Sequence, residues 1–205
     1  MAKNRVEKDK HEQLLEQLYA QSNGYVIEED ERRLILDKGG EPTYGEITFA
    51  GAQTLLKDLR LTYKDIFYDL GSGIGKLAAQ VYLTTPTKKI VGIELASTRH
   101  TYALRVYEQL QQLGKIQPQK KLLYLNGDIV YLPIDDATIV YICSTCFSEE
   151  LMHKITERLS QLQPGLRVVT LKKLAAHAKF RLIKEYMLPM SWYTEVVVYL
   201  YLLEK

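Results

Sequence analysis

The stretch Asp69-Leu70-Gly71-Ser72-Gly73-Ile74-Gly75-Lys76 lies between an apolar run, Ile66-Phe67-Tyr68, and a helical pattern over Lys76–Leu83. A glycine-rich turn between a strand and a helix is the setting of nucleotide-type fingerprints. A P-loop would put its first glycine at position 70, which is Leu70, and a hydroxyl residue after the lysine, where Leu77 stands. A dinucleotide loop would need a glycine at position 76, which is Lys76. The spacing is instead G-x-G-x-G, with Asp69 two residues ahead of the first glycine. A carboxylate there repels a pyrophosphate and attracts an ammonium group. It suits the methionine end of S-adenosyl-L-methionine. Gly71, Gly73 and Gly75 let the backbone approach such a ligand with no Cβ in the way.

Two further acids stand where an adenosyl ligand needs them. Glu94 is 25 residues past Asp69 and directly follows the apolar run Ile90–Ile93. An acid at the end of the second strand accepts hydrogen bonds from ribose hydroxyls. Asn126-Gly127-Asp128-Ile129 follows the run Leu122–Leu125, so Asp128 can accept from an exocyclic amine, with Ile129 beside it. Singly, each is as well explained as a turn residue or a solvated strand end. Their joint occurrence, in order and at strand ends, carries the cofactor expectation.

Outward from this centre, apolar runs of four or five residues alternate with helical patterns. The runs are 66–70, 90–93, 122–125, 138–142 and 167–171, with helices expected over 97–113 and 148–162. That rhythm marks a parallel sheet covered on both faces. The alternation stops at 180–192 and 194–203, two strand-like segments joined by a turn. The second is apolar on both faces, which places it inside the sheet. The expected fold class is α/β, a doubly wound, mostly parallel seven-stranded sheet closed by a C-terminal antiparallel hairpin, as in Rossmann-like methyltransferases. Residues 4–21 read as a helix with Leu14, Leu15 and Leu18 on one stripe. The stretch 25–38 reads as two short strands or an amphipathic turn pair. Gly39-Gly40-Glu41-Pro42 is a break, so 1–42 is expected as a mainly helical appendage to a domain over 43–205.

Composition sets bounds. The 205 residues are 46% hydrophobic and 25% charged, which is globular usage rather than disorder. No apolar run approaches the roughly 20 residues of a membrane span. The opening MAKNRVEKDK has no signal-peptide core, and Cys143 and Cys146 are the only cysteines. The expected setting is therefore cytoplasmic, without disulfides. The histidines are scattered and no metal signature exists. Residues 1–43 hold 7 basic and 10 acidic side chains, while the net charge of the chain is +2.

Thr43-Tyr44-Gly45-Glu46-Ile47-Thr48-Phe49, taken with Asp69–Gly75, Glu94 and Gly127-Asp128, resembles the disruptor-of-telomeric-silencing (DOT) family over about residues 43–173. These are histone lysine methyltransferases that use the Rossmann-like fold and lack a SET domain. The resemblance implies S-adenosyl-L-methionine as cofactor and N-methylation of a protein lysine. It also implies that the Tyr44-Gly45-Glu46 loop closes over the methionine end, with Tyr44 and Glu46 as cofactor contacts. Two positions depart from the family. Cys143-Ser144-Thr145-Cys146-Phe147 stands where the family has an Asn-Asn-Phe-type segment, and Lys76 stands where Gln is frequent.

Methyl transfer needs alignment and an amine that arrives neutral, not a nucleophilic triad. Tyr44, Tyr141, Cys143, Ser144 and Phe147 are the candidates for an acceptor channel. A cysteine nucleophile lacks a histidine partner nearby, and free cysteines are most often small core residues. The basic segment 172–181 reads as a docking loop or as a solvated connector. Without a long basic tail, a compact acceptor protein is expected rather than a nucleosome, whose capture rests on many phosphate contacts. RNA or small-molecule methylation by the same fold, and a non-catalytic adenosyl-binding module, are the alternatives.

Overall fold

The computed structural model describes residues 9–205. Seven strands form one sheet in the order β3-β2-β1-β4-β5-β7-β6. They are β1 (Ile66–Leu70), β2 (Lys89–Glu94), β3 (Lys121–Asn126), β4 (Ile139–Ile142), β5 (Arg167–Thr170), β6 (Phe180–Leu188) and β7 (Val196–Leu203). The first five are parallel, and β7 runs antiparallel between β5 and β6. The final apolar segment is thus an inner strand, as its two-faced hydrophobicity demands. β6 stops at Leu188 rather than at Trp192, because Pro189 has no N–H to give to the ladder.

The helices are α1 (Lys10–Tyr19), α2 (Glu29–Asp37), α3 (Phe49–Leu59), α4 (Lys76–Thr84), α5 (Ser97–Gln112) and α6 (Glu149–Leu159). Local chemistry starts several of them. Thr48 caps α3 by accepting from Gly51 N, and Ser148 caps α6 by accepting from Leu151 N. The ambiguous stretch 25–38 resolves as a helix: Glu28 and Glu31 form a reciprocal capping box at the start of α2. Only Ile35 of its apolar triplet is buried, whereas Leu34 and Leu36 face solvent. Of the helix expected over 4–21, residues 4–8 lie outside the described residues, and α1 begins at Lys10.

Two cores flank the sheet. One joins α1, α3, α4 and α5 to Phe67, Ile90, Ile139 and Tyr141. The other joins α6 and the 129–137 loop to Tyr68, Val91, Val140 and Val168. Leu15, Leu18 and Tyr19 of α1 belong to the first, packed beside α4. The strand order reverses between β1 and β4, the place where open α/β sheets open a crevice at their carboxyl ends.

Candidate active site

A cavity opens at that crevice. Its floor is Gly71, Gly73 and Glu94, its far wall Asp128 and Ile129, and its near wall Cys143, Cys146 and Phe147. Ile35, Lys38, Gly40 and Glu41 cover it from one side of the expected boundary at residue 42, and Thr43, Tyr44 and Gly45 from the other. An inner pocket continues beneath this cover, bordered by Glu46, Asp69, Lys76, Tyr141 and Cys143.

The glycine loop is held by β2. Gly71 N and Ser72 N both donate to Ile93 O at 2.9 Å. Gly73 N donates to Glu94 Oε2 at 2.8 Å, and Ala96 N to Glu94 Oε1 at 2.9 Å. Glu94 therefore ties the loop to β2 and keeps lone pairs that face the cavity. Burial pushes its pKa up; Arg99 and the backbone donors oppose this. Gly73 has a φ of +56°, and a Cβ there would meet the Tyr44 ring at 2.6 Å. This glycine makes room for a side chain of the protein itself.

Asp69 is 3% exposed at the end of β1. It accepts no hydrogen bond among the described residues, and its pKa is raised to about 8 by burial, helped by the Glu94 charge. A buried carboxyl without a donor is rare in folded proteins. It fits the ammonium of a methionine end, as Glu94 fits ribose hydroxyls. Asp128 is partly engaged: Oδ1 accepts from Val130 N at 2.8 Å, and Oδ2 lies 3.3 Å from Lys38 Nζ. Ile129 adds an apolar wall. These residues together fit S-adenosylmethionine.

The remaining expected contacts are placed as follows. Glu46 borders the inner pocket beside Asp69, where its carboxylate accepts from Tyr44 Oη at 2.9 Å and from Lys76 Nζ at 2.5 Å. Gly75 borders neither space. Its carbonyl accepts from Tyr124 Oη at 2.9 Å, and the Tyr124 ring fills the room a Cβ would take. Gly75 thus packs against β3 at the start of α4. Ser144 is fully buried, 2.8 Å from Thr170 Oγ1, and accepts from Lys172 N at 2.7 Å. It braces the turn 144–146 from behind and lines no channel. Phe147 borders the cavity against Gly71, and Lys172 Nζ donates to its carbonyl. Tyr141 is buried and borders the inner pocket. Burial raises the Cys143 thiol to about 12, with Asp69 adding to the shift, so it stays a neutral thiol. Two cations of the basic segment have partners on the chain itself: Lys179 donates to Ser160 O, and Arg181 makes a solvent-exposed ion pair with Glu204. No cluster of metal-type ligands occurs among the described residues.

The reading of the sequence missed Arg99. Its Nε donates to Gly24 O at 2.8 Å and its Nη2 to Pro42 O at 2.6 Å, while its guanidinium lies 5.1 Å from the Tyr44 ring centroid. It pins the cover over the cavity. The cover is also sewn to the acceptor side, where Glu41 N donates to Cys146 O and Ser148 N to Gly39 O, both at 2.7 Å.

The family described as "Histone methylation protein DOT1" matches residues 33–191. The chain belongs to this family. Relatives of this DOT1-family chain include a Drosophila melanogaster protein named histone-lysine N-methyltransferase, H3 lysine-79 specific, 33% identical over 137 residues, or 63% of this chain and 7% of that protein. A Saccharolobus islandicus protein named protein-lysine N-methyltransferase is 28% identical over 116 residues, 57% of this chain and 67% of that one. The chain thus spans a small fraction of the animal relative's length and matches most of the archaeal one. The solved structure of a Salinibacter ruber RNA methyltransferase with S-adenosyl-L-homocysteine superposes with a TM-score of 0.57 at 22% identity, covering 75% of this chain and 90% of that one. That likeness establishes the class I methyltransferase fold.

Proposed function

We propose that this DOT1-family chain is an S-adenosylmethionine-dependent methyltransferase that N-methylates a lysine side chain of a protein. The observation that carries the reading is the unpartnered, buried Asp69 carboxyl beside a glycine loop that Glu94 ties down. Asp69 would take the methionyl ammonium, Glu94 the ribose hydroxyls, and Asp128 with Ile129 the adenine edge. When bound, the cofactor supplies an electrophilic sulfonium methyl. The chain supplies alignment: Arg99 and Tyr44 hold the cover closed, and Phe147 presents an apolar wall. An amine entering beside Phe147 and Cys143 is desolvated, which favours its neutral, nucleophilic form.

The names of the relatives support a protein lysine as acceptor, on a histone for the fly protein and without a stated target for the archaeal one. The expectation that a nucleosome is not the acceptor draws no support from them. It rests on charge alone. A reducing setting such as the cytoplasm goes with two free thiols. The test is transfer of labelled methyl to a whole-cell lysate, resolved into protein and RNA, with purified nucleosomes in parallel and the Glu94→Ala protein as control. Label on protein lysines that vanishes with Glu94→Ala is the expected result. Label confined to RNA would overturn the lysine assignment, and nucleosomal label would identify the acceptor as histone.

A further inference from the structure

Asp69 and Tyr141 are register partners on β1 and β4. Their side chains therefore leave the same face of the sheet side by side. Both border the inner pocket under the Tyr44–Ile47 segment. Tyr141 is 2% exposed, and its hydroxyl has no hydrogen-bond partner among the described residues. The Asp69 carboxyl has none either, so a buried donor and a buried acceptor stand next to each other and do not bond. Buried polar groups are almost always satisfied, and an isolated orphan is a mark of a ligand's place. A third polar group borders the same pocket. Lys76 gives one N–H to Glu46 and has others to give.

An anionic acceptor flanked by a neutral and a cationic donor is the complement of an amino-acid head group. The ammonium belongs against Asp69, and the carboxylate against donors. We propose that the Tyr141 hydroxyl is a binding residue for the carboxylate of the cofactor's methionyl end, acting with Lys76. The inference rests on the methyltransferase reading above. Burial above all keeps the phenol protonated, so it remains a donor throughout the neutral range. The ring alone would pack as well as phenylalanine does. The hydroxyl is the part that the protein leaves unused.

The Tyr141→Phe protein isolates that hydroxyl. Calorimetry would compare S-adenosylhomocysteine, which carries the amino-acid head, with 5′-methylthioadenosine, which shares the adenosine and sulfur but lacks it. The substitution should weaken S-adenosylhomocysteine about tenfold, the effect of losing one donor to a charged group, and leave methylthioadenosine within about twofold. The ligand-free variant should melt no lower than the wild type, since no internal bond is lost. Unchanged S-adenosylhomocysteine binding by Tyr141→Phe, with normal wild-type binding, overturns this inference and leaves the methyltransferase reading standing. Equal losses for both ligands also overturn it, because the effect then does not act through the head group. Wild-type protein that binds neither ligand would remove both readings together.

Discussion

The two halves of the crevice are built by different means. The half at the ends of β1 and β2 is held by neighbours: Gly71, Ser72 and Gly73 bond to Ile93 and Glu94, and Glu94 bonds to Ala96. The half at the ends of β4 and β5 is held from afar. Ser144 is braced by Thr170 and Lys172, the Phe147 carbonyl by Lys172, and Cys146 and Ser148 by the 39–41 segment. The first half leaves acids facing the cavity. The second spends its polar groups on holding itself together and shows the cavity thiols and an aromatic ring. A receptor that must recognise a charged ligand and a wall that must desolvate an amine call for that division. The comparison therefore says which substitutions should act on cofactor binding and which on transfer alone.

The largest effect belongs to the first half. Asp69→Asn should weaken S-adenosylmethionine at least about 100-fold, because a buried cation then lacks its counter-charge. The pH dependence gives the same site a second signature. Asp69 is raised from 3.8 to about 8 in the ligand-free protein. An ammonium ligand selects its ionised form, so wild-type affinity should rise from pH 6 to 7.5, by up to about tenfold per unit, and the variant should show no such rise. Stability runs the other way. Between those two pKa values the folded state keeps a proton that the unfolded state has lost, so ligand-free stability falls as pH rises toward 8. Asp69→Asn should remove that fall. Calorimetry and thermal melts over this range check both signs, and a wild-type affinity flat with pH would break the assignment of Asp69 as the ammonium's partner.

The same contrast explains what was legible in the sequence. Strand β1, the glycine loop and Glu94 could be read because each role is fixed by residues close by in the chain or by strand-end position. The packing of Gly75 was not legible because its neighbour Tyr124 comes from β3, 49 residues on. Ser144 was misplaced because Thr170, 26 residues away, buries it. Arg99 was invisible for a stronger reason. Its partners are the backbone carbonyls of Gly24 and Pro42, and every residue type carries a carbonyl. The stretch 25–38 stayed open because Leu34-Ile35-Leu36 suits a strand, while the helix is decided by the Glu28–Glu31 capping box. The inner position of β7 was readable, since an edge strand has no use for two apolar faces.

An intermediate effect belongs to the second half. Lys172 joins the end of β5 to the turn at 144–147 through its backbone N–H on Ser144 and its ammonium on the Phe147 carbonyl. Lys172→Met keeps the stem and removes only the ammonium. Methyl transfer should fall about tenfold, the effect of one lost charge-assisted bond on the placement of the wall. Cofactor affinity should stay within about twofold, and Lys172→Arg should restore much of the transfer. A parallel loss of cofactor affinity would show that the two halves are not separately built.

The smallest effect on the ligand-free protein should come from the seam between the halves, at Lys76, whose part in holding the cofactor carboxylate would show separately as weaker S-adenosylhomocysteine binding. Lys76 pairs with Glu46 at 2.5 Å, but the two side chains are 34% and 23% exposed, so solvent screens the pair. The 44–48 segment has other anchors. Glu46 N donates to Ser191 Oγ at 3.1 Å, Ser191 N to Glu46 O at 2.8 Å, and Thr48 N to Pro189 O at 3.2 Å. Ile47 also bridges to Met190. Lys76→Gln keeps one donor for Glu46 and removes the charge. Its cost in stability should be below about 1 kcal/mol, and wild-type stability should lose that difference as salt is raised. Protease cleavage within residues 39–47 should rise only slightly in the variant, and cofactor should suppress it in both proteins. A large increase in cleavage would mean that the ion pair, rather than the β6–β7 turn, holds the loop, and the family's Gln at this position would then mark a looser cover.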